Sequence, residues 1–203
     1  MISRCFFQKD PVDCARALVG CRLRWGACTG IVVETEAYDT EGDAACHTAF
    51  RPGARAFVRN HGEGTAYVYF AYGMHWMLNV LVKGCREGFV LIRAVEPLRG
   101  LRAMRVARGV TRDSQLCSGP GKLTQAMGVT GAHHGLDLCR DPGFGFQACG
   151  EAGPVAASPR IGITRAAERP WRFHLVGNAH VSGSKQQNRI RAGTPENEEA
   201  GRK

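Results

Sequence analysis

Gly30–Tyr38 reads GIVVETEAY, a β-branched run that carries two carboxylates in a chain of formal net charge +9. Val, Ile and Thr suit a pleated, half-buried surface, so the run reads as a strand. At period 2, Val32, Glu34, Glu36 and Tyr38 share one face, and Val33, Thr35 and Ala37 the other. A solvent-facing strand edge accounts for one glutamate. It accounts less well for a second one and a tyrosine on the same face of an arginine-rich protein.

Working outward, CRLRW before Gly26 supplies a partner strand. Residues 39–64 are polar, glycine-bearing and poor in periodicity, so they read as a long loop with one helical turn at most. A loop of that length in a compact domain is more often functional than filler. AYVYFAYGMHWMLNVLV (66–82) and EGFVLIRAVEP (87–97) are the most strand-like stretches, the first broken at Tyr72-Gly73-Met74, where the glycine permits a tight turn. Helices are expected at 10–20, with Asp10 as cap, Pro11 first and Gly20 as stop, at 98–108, and after Ser118 up to Gly128. DLC, SPRIGITRA and WRFHLVG supply short strands and turns. One domain spans 1–183, and 184–203, polar and charged, reads as a disordered tail.

With 203 residues and 44% hydrophobic content, the chain can build one sizeable core. No apolar run approaches the roughly 18 residues that span a bilayer. Gln8, Lys9 and Asp10 interrupt any signal-peptide core, so an intracellular, cytoplasmic protein is expected. The nine cysteines occur singly, with no CxxC pair, which fits reduced thiols and disfavours structural zinc. Lys and Arg number 27 against 18 Asp and Glu, and arginine dominates; its fork suits phosphate, so nucleic acid leads over anionic lipid as partner. Arg99, Arg102, Arg105 and Arg108 form a stripe at steps of three, read as a solvated helix face in preference to a phosphate-contacting one.

Serine-hydrolase, zinc-hydrolase, zinc-deaminase and P-loop signatures are all missing. Lys122 lies beside a capping serine with nothing to depress its pKa. By elimination the candidate catalyst is a carboxylate, acting as general base toward water or stabilising an oxocarbenium-like sugar cation. Arg93 could balance that charge or hold a phosphate; pairing with Glu96 or Glu34 explains it as well. The tyrosines are Tyr38, Tyr67, Tyr69 and Tyr72, three of them within six residues. Core packing and base stacking or wedging explain that cluster about equally.

GIVVETEAY, DxAxH ending at His47, AYVYFAYGMHWMLNV, VLIRAVEP, LCSGPGKLTQAM and WRFHLVG occur in this order, and together they resemble the alkyladenine (3-methyladenine) DNA glycosylase family that is not of the helix-hairpin-helix type. The resemblance runs from about Cys5 to Ser182. It implies a mixed α/β single domain with a curved antiparallel sheet, peripheral helices and a protruding β-hairpin that inserts into DNA. It further implies that Glu36 activates water for attack on the sugar C1′, with Arg93 beside it and the target nucleotide's backbone. Tyr38, His47 and Tyr69 would hold the flipped base, Asn79 would disfavour the 2-amino group of guanine, and Tyr72 with Met74 would intercalate.

The implied reaction is monofunctional hydrolysis of the N-glycosidic bond of damaged purines in double-stranded DNA. It uses no metal and no cofactor, and the enzyme is expected to be a monomer. Two stretches stand out against the family pattern. Arg59-Asn60 stand where a methionine-phenylalanine pair is common, and His75-Trp76, within family variation, follow the turn close to the wedge. The rival readings are a catalytically inactive binder of damaged DNA, or a general nucleic-acid or anion-binding module.

Overall fold

The computed structural model describes residues 1–148, 150 and 153–183. The expected tail at 184–203 lies outside them. After a 3-10 turn at Arg4–Phe7, α1 (Pro11–Leu18) leads into β1 (Arg22–Trp25) and the long β2 (Cys28–Asp39). Two short helices follow, α2 (His47–Phe50) and α3 (Pro52–Asn60), then the hairpin of β3 (Ala66–Ala71) and β4 (His75–Lys83) and the equally long β5 (Glu87–Arg99). Beyond it come α4 (Leu101–Arg108), α5 (Pro120–Met127), β6 (Phe144–Gln147), β7 (Val155–Ser158) and β8 (Arg172–Leu175).

The strands form one curved, eight-stranded, wholly antiparallel sheet in the order β3-β4-β5-β2-β1-β6, with β8 also on β2 and β7 on β8. GIVVETEAY is therefore a central strand. It pairs with β5 along one side, and with β1 and then β8 along the other.

Unbroken alternation fails at Glu34. Val32 pairs with Val95, Glu34 with Ala94 and Thr35 with Ile92, so Val33 is an extra residue on β2 and Arg93 an extra one on β5. Each bulge shifts the phase by one residue. Val32 consequently lies in the main core with Ala37, while Val33 packs with Ala94 and Val181. The expected shared face of Val32 with Glu34 is thus corrected: upstream of the bulge the two sides exchange.

Alternation downstream separates two packing faces. Val68, Leu78, Val80, Val90 and Ile92 meet α1 and α5 through Leu18 and Leu123 in the main core. Thr35 reinforces this by donating its hydroxyl to the Ala15 carbonyl at 2.8 Å. On the opposite face, Tyr67, Leu81 and Phe89 pack under Ala54, Phe57 and Val58 of α3. The 39–64 stretch is therefore not a long loop: it holds two helices, and α3 is held by the aromatic underside that its Phe57 covers.

Other boundaries moved slightly. Asp10 does cap α1 in position, but its side chain accepts the Arg86 amide at 3.0 Å and makes no bond to the helix. Gly119, not Ser118, caps α5. Arg99 ends β5, and Arg102, Arg105 and Arg108 run along α4, where Arg105 pairs with Asp113 at 2.8 Å and Arg108 contacts Gln125. Among the described residues, no helix is long and apolar enough to cross a membrane.

Gly88, opposite Asp39, tests the closest strand approach. A Cβ there would stand 2.1 Å from the Tyr38 carbonyl oxygen and 2.6 Å from Pro11 Cγ. Gly88→Ala should cost about 1–3 kcal/mol through forced backbone movement. A urea midpoint equal to wild type would show that the crossing relaxes freely.

Candidate active site

The face carrying α2 and α3 also carries a row of unusual residues. Across the ladder, Tyr67 pairs with Asn79, Asn79 with Leu91, and Leu91 with Glu36; one step along, Tyr69 pairs with Met77, and Phe89 with Tyr38. Antiparallel partners share a face, so four strands bring these side chains to one place. They surround a cavity of about 380 Å³, lined among others by Tyr38, His47, Tyr67, Tyr69, Asn79 and Arg93. Ile161, Gly162 and Ile163 close it from the loop before β8.

Glu36 stands behind this lining, fully buried. The Tyr38 hydroxyl donates to its Oε2 at 2.7 Å, the Ile161 amide donates to its Oε1 at 2.7 Å, and Arg93 Nη1 lies 3.2 Å from Oε2. All three of its partners line the cavity, so its carboxylate is one hydrogen bond from the space. Burial first, and then Glu36, push the Tyr38 phenol well above its ordinary value, so Tyr38 stays a donor. Arg93 also donates Nη1 to the Ile161 carbonyl at 3.4 Å. Burial disfavours its charge, but Glu36 and Glu34 outweigh that and raise its pKa further, so it is a permanent cation.

Glu34 is the second buried carboxylate. It accepts from Arg93 Nε at 2.9 Å, Arg172 Nε at 2.6 Å, and the Ser182 hydroxyl and amide at 2.8 and 2.7 Å. Burial would raise its pKa; the two arginines overcome this and hold it below the ordinary carboxylate value. Of the alternatives for Arg93, pairing with Glu34 is realised together with contact to Glu36. Glu96 instead accepts from Asn178 at 2.7 Å.

The aromatic wall is built around His47. Its ring lies 4.3 Å from Tyr69 between centroids, and its Nδ1 is 3.2 Å from the Tyr67 hydroxyl. Burial, assisted by Arg51, lowers its pKa to about 4, so the ring is neutral at physiological pH. Asn79 donates Nδ2 to the Tyr67 carbonyl at 3.2 Å, which fixes its amide at the cavity floor.

At the hairpin tip, Tyr72 and Gly73 have φ of 55° and 67°. Positive φ at both central positions suits a tight hairpin turn, and glycine adopts it freely where tyrosine is strained by about 1–2 kcal/mol. Tyr72 is 77% exposed, Met74 67% and Phe70 48%. The Tyr72 hydroxyl donates to the Gly162 carbonyl at 3.3 Å, across the cavity mouth.

All the candidate residues thus meet except Met74, which shares the tip with Tyr72 but does not line the cavity. Several participants were not anticipated. Arg160 makes a two-pronged pair with Asp43 at 2.6 and 2.8 Å and stacks 4.6 Å from the Tyr38 ring centre. Arg172 is fully buried on Glu34. The alternation in WRFHL was a usable signal for Arg172, since an inward arginine in a short apolar strand is as odd as Glu34. Arg59 and Asn60, the departure from the family pattern, are exposed at the end of α3 and absent from the cavity lining. Among the described residues, no group of His, Cys, Asp and Glu could hold a metal ion.

Residues 5–179 match the family described as methylpurine-DNA glycosylase (MPG). A protein of Granulibacter bethesdensis, provisionally named a 3-methyladenine DNA glycosylase, is 46% identical over 185 residues, covering 89% of this chain and 86% of its own length. Similarly named proteins of Agrobacterium fabrum and Salinibacter ruber are 44% and 43% identical, covering 89% and 87% of this chain and 92% and 94% of their own lengths.

The neutral state of His47 has a measurable consequence. Unfolded, it titrates near 6.5; folded, at about 4. The unfolded chain therefore takes up the proton first as pH falls. The stability gained by burying the neutral ring is complete above the unfolded value and is lost as pH drops from about 6.5 towards 4. Melting temperatures over that window should fall more steeply for wild type than for His47→Gln, and parallel curves would contradict the assignment.

Proposed function

The chain belongs to the methylpurine-DNA glycosylase family, and from that premise we propose that it excises alkylated purines from duplex DNA by monofunctional hydrolysis, leaving an abasic site. One observation carries the reading. A buried carboxylate with its arginine lies one hydrogen bond behind an aromatic cavity, and an exposed, strained tyrosine stands over the mouth.

In this reading Tyr72, with Met74, enters the stack where the damaged nucleotide leaves. Their exposure contributes nothing to the core, whereas stacking on a base contributes about 1–3 kcal/mol. The extruded purine enters the cavity among Tyr38, His47 and Tyr69. An alkylated purine such as 3-methyladenine or 7-methylguanine is cationic, and the aromatic faces attract it. Neutral His47 adds no opposing charge, while Arg93 and Arg160 are balanced by their carboxylates. Asn79, held against Tyr67, would disfavour the 2-amino group of guanine, a cost that undamaged guanine cannot offset and cationic 7-methylguanine offsets through its charge. Hypoxanthine and ethenoadenine, both without one, are the further candidates.

For the chemical step, Glu36 Oε2, Arg93 Nη1 and the Ile161 carbonyl converge within 3.2 and 3.4 Å of the guanidinium nitrogen. Water held there meets two acceptors and one donor. Its oxygen bonds to C1′, the C1′–N bond breaks with its electron pair leaving on the purine, and the water proton passes to Glu36. Positive charge on the base is cancelled as it departs, so no strong acid is needed on the purine side. The step calls on no metal, cofactor or second subunit, and a monomer suffices.

A damage-binding module would keep Tyr72 and the basic surface, but it has no use for a desolvated carboxylate beside a cavity. A duplex with one alkylated purine, followed under single-turnover conditions, separates the two. Glu36→Gln should lose at least about 100-fold in excision rate while retaining lesion-duplex binding; excision at the wild-type rate defeats the mechanism. Tyr72→Ala should weaken binding to the lesion duplex by about tenfold, the order of one lost base stack. Unchanged affinity and excision would remove Tyr72 from the wedge role.

A further inference from the structure

Arg93 reaches Glu36 with one end of its guanidinium while its other end is held elsewhere. The Nε is 2.9 Å from Glu34 Oε1, the Nη2 donates to the Ser182 hydroxyl at 3.3 Å, and that hydroxyl itself donates to Glu34 Oε1 at 2.8 Å. Glu34 is in turn gripped by Arg172 and by the Ser182 amide. From the reading of Glu36 as the water-activating carboxylate, on which this inference rests, we propose that Glu34 is the positioning residue of the reaction, setting both the orientation of Arg93 and the charge that Arg93 presents to Glu36.

The charges facing this row come from every surrounding element. β2 supplies Glu34, Glu36 and the Tyr38 hydroxyl; β5 supplies Arg93; β8 supplies Arg172, with His174 opposite Glu34 in the ladder. The loop before β8 supplies the Ile161 amide and Arg160, the latter engaged with Asp43. Within the row, two carboxylates meet two guanidinium groups and the net charge is zero. A neutral side chain without an acceptor at position 34 leaves both arginines facing Glu36 alone. Arg93 then loses its Nε anchor and swings onto Glu36, occupying the lone pairs a water proton would use. More acid is also required to protonate a carboxylate held by the extra positive charge. A purely structural Glu34 would lower the amount of folded enzyme and leave the pH dependence of the surviving fraction untouched.

The experiment uses the full chain and an alkylated-purine duplex, measuring single-turnover excision against pH together with duplex affinity. For Glu34→Met, the expected result is an excision rate at least about tenfold lower at neutral pH, an acidic limb displaced to lower pH, and affinity within about threefold of wild type. Glu34→Met/Arg172→Met removes one charge of each sign. Its acidic limb should return to the wild-type position while the rate stays at least about tenfold down, because Arg93 still lacks its anchor. If Glu34→Met does not fold, the double variant decides alone. A wild-type rate in either variant, or a Glu34→Met limb that coincides with wild type, overturns the proposal. Failure of the wild-type enzyme to excise the base would instead overturn the glycosylase reading itself.

Discussion

Four charges with almost no access to water, Glu34, Glu36, Arg93 and Arg172, sit within the central sheet, and the rest of the structure is arranged to make that tolerable. A lone buried ion costs several kcal/mol even after relaxation. Here every carboxylate oxygen has a donor: Glu34 takes two arginines and both polar groups of Ser182, and Glu36 takes a phenol, an amide and a guanidinium. The donors come from three strands and two loop segments, so the network can form only when β2 is flanked by β5 on one side and β8 on the other. The paired bulges at Val33 and Arg93 lie at this network. Arg93 keeps the face of Phe89 and Leu91 by ordinary alternation, and the bulge there lets Val95 return to the main core with Ile92.

The sheet then divides labour between its faces. One face is apolar, packs on α1 and α5 and contributes most of the hydrophobic stabilisation. The other gives up part of that stabilisation to a cavity and to polar groups. Tyr67 shows the compromise: its ring stacks 4.5 Å from Phe89 and 5.0 Å from Phe57, while its hydroxyl and carbonyl hold His47 and Asn79. The hairpin extends the trade further, with a non-glycine residue at positive φ and large apolar side chains in water. Such a tip lowers stability in isolation and is intelligible only through what it touches.

Where alternation is regular, the strands, the hairpin and its turn were legible from residues alone, and Glu34 and Glu36 stood out because their setting was apolar. Three features were not legible. The bulges leave no local mark, since Val33 and Arg93 are ordinary strand residues whose extra place exists only relative to a partner strand. α3 is dominated by Arg, Gly and Ala, and its apolar residues Ala54, Phe57 and Val58 make too short a stripe to register without the aromatic floor beneath it. The third is long-range pairing: Arg160 and Asp43 are 117 positions apart, and Arg172 and Glu34 are 138 apart. The family resemblance supplied the roles of Glu36, Arg93 and Tyr72, but it named neither of these arginines.

The dominance of arginine over lysine, a pattern that suits phosphate contacts, has a second explanation inside the protein. Arg93 must satisfy Glu34 through Nε, Glu36 and the Ile161 carbonyl through Nη1, and Ser182 through Nη2. These bonds leave one planar group in different directions. An ammonium could neutralise a single carboxylate, but as a compact point charge it could not hold both glutamates apart at fixed distances. It would also be open to deprotonation under the same burial, whereas the guanidinium stays charged. The two glutamates are therefore buried side by side with one guanidinium between them. One serves as anchor, and the other stands at the edge of a cavity.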